Sequence, residues 1–352
     1  MRRRGTLIVL AGIILCFCSL LITPNTVQSQ TTITLKYANF PPAATFPCVQ
    51  MERWAKEVEK KTNGKVKVQT FPGGTLLPAK NIFDGVISGV ADIGNFAMSY
   101  QPGRFPVSEA VDLPIGFPSA RAASLALFDL IKKYNPKEFE QVKILTLFTC
   151  PPANIMSSKP VKSLKDLKGM ELRVSGTAVD ILKNLGGNPI AMPQSDVPEA
   201  LQKGVIKGQI SSMEVLKDFN YAAYTPYVTK TNLFVVTFAV VMNKDKWNAL
   251  PEDVKKVLDD MGREQAEWTG KYVDDHVREA LDWSKEKYKN FQIFELPAND
   301  KATLSKAVKP IVDDYIKRVT ASGLPGDKIV KDVYALKTKY EKEEAKNTKK
   351  TK

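Results

Sequence analysis

A single histidine, His276, is present in 352 residues. Ser-His and Cys-His catalysis needs an imidazole base, so most such arrangements are excluded unless His276 itself serves. There is no nucleophile-elbow motif, no GxxxxGK(S/T) phosphate cradle, no GxGxxG dinucleotide turn and no HExxH zinc helix. Cysteine is nearly as scarce. Of four, Cys16 and Cys18 fall in an apolar N-terminal run, and the remaining Cys48 and Cys150 are too few for a metal site beside one histidine. Carboxylate pairs such as Asp259-Asp260 and Asp313-Asp314 are adjacent on helical stretches and point apart. The expectation is a protein with no cofactor, no metal and no bond chemistry.

Acids are also in deficit, 38 against 51 Lys and Arg, for a net charge of +13. The lysines alternate with acids, as in Lys56-Glu-Val-Glu-Lys-Lys61, and part of the excess sits in the tail from Lys342 to Lys352. That distribution is a solvated surface without a nucleic-acid stripe, so no nucleic-acid partner is expected. At the N-terminus Arg2, Arg3 and Arg4 precede an apolar run from Leu7 to Ile22, and Val27-Gln-Ser29 suits a cleavage site before Gln30. Residues 1–29 read as a secretory signal peptide. An uncleaved anchor is the competitor, but the run is short for a membrane span. In the oxidising compartment beyond, Cys48 and Cys150 are either disulfide-bonded or two buried free thiols.

The 43% apolar and 25% charged composition is that of a globular chain long enough for one large or two ordinary domains. Residues 34–38 alternate as a strand. Met51, Trp54, Ala55 and Val58 mark one face of a helix that stops at Asn63-Gly64. A strand follows over 65–71, a helix over 79–88, and a short strand over 89–94 leading into a loop from Asn95 to Arg104. This is an α/β sheet being wound. Ser163-Leu-Lys-Asp-Leu-Lys-Gly169 reads as a turn, Met170 to Val174 as a strand, and the next helix stops at Gly186-Gly187. Leu172 and Val174 face the core, so Arg173 points the other way, near the C-terminal end of its strand, where open α/β sheets hold ligands. Its guanidinium is a planar fork suited to a carboxylate. Pro251 starts a helix with Glu252 and Asp253 in its first turn. The region 258–291 is a long helix or helix pair, and 341–352 is a charged, disordered tail.

Asp-Leu-Lys-Gly-Met-Glu-Leu-Arg-Val at 166–174 resembles the solute-binding subunit of tripartite ATP-independent periplasmic (TRAP) transporters. Trp54 to Val68, Phe71-Pro-Gly-Gly-Thr-Leu76, Gly85 to Gly94, Asp112-Leu-Pro-Ile-Gly-Phe117 and Leu250 to Leu258 resemble the same family in the same order. The match runs from about residue 33 to about 325. It implies an α/β, two-lobed periplasmic-binding-protein fold (type II-like), with a ligand cleft between the lobes and long C-terminal helices. Lobe I would hold residues 30–150 with about 238–277 returning to it. Lobe II would hold 151–237 with about 278–330 packed on it. The crossings would fall near 148–152 and 238–243.

Carried over by resemblance, Arg173 is the arginine that bridges to the ligand carboxylate. A second family position, often asparagine, falls at Ser211, and a third, an arginine in sialic-acid-type members, at Ala153. Both depart from the family pattern. One arginine neutralises one carboxylate, and a second buried charge would go unpaired. The expected ligand is therefore a monocarboxylate with an apolar or aromatic tail. Candidate walls are Phe40, Phe46, Phe96, Met98, Tyr100, Met213 and Phe238. Asn154, Thr177, Ser211, Ser212 and Thr237 are polar candidates to orient the ligand, and Glu214 is a candidate acceptor for an amino or hydroxyl group. The resemblance implies a periplasmic receptor partnered by membrane permease subunits driven by an ion gradient. A same-fold receptor feeding a sensor kinase or chemoreceptor, and a secreted enzyme on a two-lobed scaffold, are the alternatives.

Overall fold

The computed structural model describes residues 32–350, and the expected signal peptide at 1–29 lies outside them. The chain runs β1 (Ile33–Asn39), α1 (Phe46–Lys61), β2 (Val66–Phe71), α2 (Ile82–Ile87), β3 (Ile93–Ala97), α3 (Pro106–Glu109), α4 (Ala120–Tyr134) and β4 (Val142–Thr149). It continues through β5 (Asn154–Ser157), β6 (Glu171–Val174), α5 (Ala178–Asn184), β7 (Asn188–Ala191), α6 (Val197–Gln202), β8 (Gly208–Ser211), α7 (Val215–Asp218) and β9 (Tyr227–Lys230). The last elements are β10 (Thr237–Asn243), α8 (Lys244–Asn248), α9 (Glu252–Lys287), β11 (Gln292–Glu295), α10 (Ala298–Ala321) and α11 (Gly326–Lys350).

Local chemistry accounts for many of the ends. Thr45 stands at the N-cap of α1 with Pro47 in its first turn, and Met51, Trp54, Ala55 and Val58 are buried. The chain then reverses through Asn63 and Gly64, both at positive φ (50° and 76°). Ser163 and Asp166 close a reciprocal capping box before β6. One boundary differs from expectation: the strand read over 89–94 is β3, which starts later and continues to Ala97, since Ile93 to Ala97 are all buried and all pair with β10, Ile93 to Asn95 also with β1.

Two sheets result, ordered β2-β1-β3-β10-β4 and β11-β9-β5-β8-β6-β7. The chain passes from the first to the second between β4 and β5 and returns between β9 and β10. The return precedes the expected 238–243, because β10 is wholly laddered into the first sheet against β3 and β4. The crossing segments run side by side, Cys150 N donating to Val236 O (3.0 Å) and Ala153 N to Phe234 O (2.7 Å).

A single 36-residue helix, α9, occupies most of 258–291. It packs on α1, α4 and β4 and, farther along, on α7. Gly262 and Gly270 allow that approach. A Cβ on Gly262 would stand 2.6 Å from the Leu145 carbonyl oxygen, and one on Gly270 would stand 2.5 Å from Arg121 Cα. The tail expected to be disordered is helical to Lys350. Ile329, Val333 and Tyr340 form its buried stripe, and beyond it Glu343 pairs with Arg121 at 2.7 Å. The composition concealed a partner on another helix.

Candidate functional site

Near the end of strand β6, Arg173 stands between two fully buried neighbours, Leu172 and Val174. Arg173 is itself only 3% exposed. Its Nε donates to Met192 O (2.9 Å), and one terminal nitrogen makes a long contact to the Tyr100 hydroxyl (3.4 Å). The Gln194 N–H donates to that hydroxyl at 2.9 Å. No carboxylate among the described residues pairs with the guanidinium, and Nη1 has no partner there. Burial pushes the Tyr100 phenol up, opposed by the Arg173 charge, so it stays protonated beside the cation.

The guanidinium lines a cavity of about 40 Å³. Phe40, Phe46, Phe219, Phe238 and Val236 form its apolar walls, with Ser175, Gln194, Ser211, Ser212, Glu214 and Asp218 as polar members. Phe238 stacks on Phe148 with centroids 5.1 Å apart, and Phe46 meets both rings edge-on. Glu214 is buried. Its Oε1 accepts from Ser212 Oγ at 2.6 Å, and Oε2 has no partner. Burial raises its carboxyl from 4.5 to about 7, with the Ser212 bond opposing. One turn on, Asp218 Oδ1 lies 2.6 Å from His276 Nε2, and its Oδ2 accepts from the Phe46 N–H (3.2 Å) at the start of α1. The Asp218 bond raises the His276 pKa above its usual range, and Glu279, 3.0 Å from Nδ1, adds to it.

A larger cavity of about 560 Å³ is lined by Glu109, Asp112, Asp180 and Asp314, with Arg318 as its cation. Arg318 is already paired with Glu109. The two cavities differ in their cation: Arg318 has an acidic partner, whereas Arg173 in the smaller cavity has none among the described residues.

Of the residues expected at the site, Arg173, Ser211, Ser212, Glu214, Phe40, Phe46, Phe238 and Tyr100 line this cavity. The others do not. Phe96 lies on the opposite face of the first sheet, against Phe83 and Phe105 at 4.9 and 5.4 Å, because it pairs with Ala239 while Phe238 pairs with Ala97. Met213 belongs to the apolar cluster of the second sheet with Met156 and Leu216. Met98 and Thr177 border the larger cavity, Thr177 Oγ1 donating to Asp112 O (2.9 Å). Asn154 is used up at the crossing, where its Oδ1 accepts from Thr231 N and Asn232 N. Thr237 donates to the buried Asp112 carboxylate through N (2.9 Å) and Oγ1 (3.3 Å). Cys48 and Cys150 are free thiols, both buried.

Ser175, Gln194, Asp218 and Phe219 were not expected. Two had a signal: Ser175 follows Arg173 by two, the strand period, and Asp218 follows Glu214 by four, the helix period. Gln194 and Phe219 had none.

A family model described as bacterial extracellular solute-binding protein, family 7, matches residues 38–318. The C4-dicarboxylate-binding protein DctB of Bacillus subtilis is 24% identical over 297 residues, covering 81% of this chain and 83% of that protein. A TRAP periplasmic solute-binding protein from Desulfovibrio salexigens is 54% identical, covers 88% of this chain and 97% of its own, and superposes with a TM-score of 0.79. It is described as an open complex with the C-terminus of a symmetry mate in its ligand-binding site. A marine-metagenome TRAP solute-binding protein specific for aromatic acid ligands, in complex with 3-hydroxybenzoate, is 30% identical. It covers 88% of this chain and 99% of its own, with a TM-score of 0.83. Shape and sequence thus rank in opposite order: the acid-bound relative superposes better than the more identical open one.

Proposed function

The chain belongs to family 7 of the bacterial extracellular solute-binding proteins, and on that premise we propose that it captures a monocarboxylate with an apolar or aromatic body and hands it to the membrane subunits of a TRAP permease. The observation that carries this reading is Arg173, a buried guanidinium without an acidic partner at the edge of an aromatic cavity. A buried charge of this kind is costly until a counter-charge arrives, and a carboxylate matches its free donors. Arg173 is the only basic side chain among the residues lining the cavity, where Glu214 and Asp218 stand with it. The second charge of a dicarboxylate would meet those acids, so one carboxylate is preferred.

A volume of about 40 Å³ is tight for an aromatic acid. In this reading the two sheets part about the paired crossing segments to admit the acid, and capture is their closure. The moving bodies are about 32–150 with about 237–277, and about 151–236 with about 278–330. Binding and release involve no bond chemistry. Both ring nitrogens of His276 face carboxylates, which leaves neither to activate a hydroxyl. The working place is the periplasm, reached by export and removal of residues 1–29.

A thermal-shift screen of refolded protein against mono- and dicarboxylates, aromatic acids, sugars and amino acids tests this, with Arg173→Ala in parallel. A ligand at 100 times its dissociation constant adds about 2.7 kcal/mol to wild type, and the gain vanishes in the variant. Stabilisation by neutral sugars alone, indifferent to Arg173→Ala, would refute it.

A further inference from the structure

The fully buried side-chain oxygens and nitrogens of the lining residues are all hydrogen-bonded except one, Glu214 Oε2. The residue is 1% exposed, so no bulk solvent reaches it. Ser212 holds the other oxygen at 2.6 Å and fixes the carboxyl plane. Asp218, one turn away, offers nothing further, since His276 and the Phe46 N–H occupy its two oxygens. An orphaned buried acceptor of this kind calls for an explanation. We propose that Glu214 is a specificity-determining residue that accepts a hydrogen bond from a hydroxyl on the ligand, so the preferred solutes are hydroxylated monocarboxylates. This rests on the carboxylate-receptor reading and narrows its substrate class.

The donor count favours a hydroxyl over an ammonium. An ammonium brings three N–H donors and a full charge, whereas a single fully buried acceptor of the lining, Glu214 Oε2, lacks a partner. A hydroxyl brings one donor, and its oxygen can accept as well as donate. The bond is thereby retained whether Glu214 is ionised or carries a proton. Against an acid lacking the hydroxyl, Oε2 stays desolvated and unpaired, and such sites discriminate strongly against the lacking analogue.

The test is calorimetric titration of the purified protein with paired acids: benzoate against its 2-, 3- and 4-hydroxy forms, and phenylacetate against mandelate and 3-hydroxyphenylacetate. Wild type is expected to bind at least one hydroxylated member of each set about tenfold to a hundredfold more tightly than its parent. In Glu214→Leu that preference disappears while the parent acids still bind. Glu214→Gln, which retains an acceptor oxygen and the bond from Ser212, narrows the preference and guards against misfolding of the leucine variant. Equal affinity of wild type for parents and hydroxylated acids overturns the role of Glu214 and leaves the carboxylate reading standing. A preference that survives undiminished in Glu214→Leu overturns it too. Failure of every acid to bind wild type removes the carboxylate reading itself, and this inference with it.

Discussion

Two groups of phenylalanine rings sit on opposite faces of the first sheet. Phe83, Phe96, Phe105 and Phe139 interlock at centroid distances from 4.9 to 6.2 Å. Phe40, Phe46, Phe148 and Phe238 do the same at 5.1 to 6.3 Å. Geometry does not separate them, and both are buried. Their edges do. The first group meets the fold's own apolar core and the Arg104 guanidinium, which already pairs with Asp84. The second ends at Arg173 and Glu214, whose polar atoms are not fully used by the protein. Aromatic packing becomes a binding wall where it shields unsatisfied polar groups from water, because the same low dielectric strengthens whatever contact they make.

The contrast can be broken by substitution. Phe96→Ala opens a cavity in a group that only packs. Chemical denaturation should show a loss of about 3–5 kcal/mol, with acid affinity in the surviving folded fraction unchanged. Arg173→Ala should do the reverse. Titration should show a loss of about 2–5 kcal/mol in carboxylate binding, while the ligand-free melting temperature holds or rises, since a buried unpaired charge has gone. Phe40→Leu keeps the wall apolar but removes one ring. Affinity for aromatic acids should fall relative to aliphatic ones by about 0.5–1.5 kcal/mol.

The pH dependence offers a further test at the second group, through Glu214 and the neighbouring His276. His276 has a raised pKa, so its contribution is fully present below the usual histidine value of 6.5 and is lost as pH rises through the higher native one. Glu214, raised from 4.5 to about 7, binds its proton more tightly when folded, so stability also falls with rising pH across that window. Ligand-free melting curves should therefore flatten between about pH 4.5 and 7 in Glu214→Gln, and above pH 6.5 in His276→Gln.

Much of this was readable along the chain. Strand alternation around Arg173, the Ser163 turn and the Pro251 start are local, and each declares itself within a few residues. The identity of each aromatic face did not, since whether Phe96 sides with Phe238 depends on antiparallel register between β3 and β10, segments more than a hundred residues apart. The Asp218 link to Phe46 spans 172 residues and has no local signature. Thr237 and Asn154 lie off this cavity for a related reason: polar type says that a group needs a partner, and here the partners are Asp112 and the crossing backbone.

Helix α9 spans about 54 Å at 1.5 Å per residue. Its two glycines clamp one part of it onto β4 and α4 with backbone against backbone, whereas toward its far end it meets α7 through the His276–Asp218 bond. It is a cantilever, built in at one support and resting on the other. Were the two sheets to part as proposed, the built-in part would stay in place and the resting one would shear, so the strain of each cycle would collect at His276, where α9 meets Asp218.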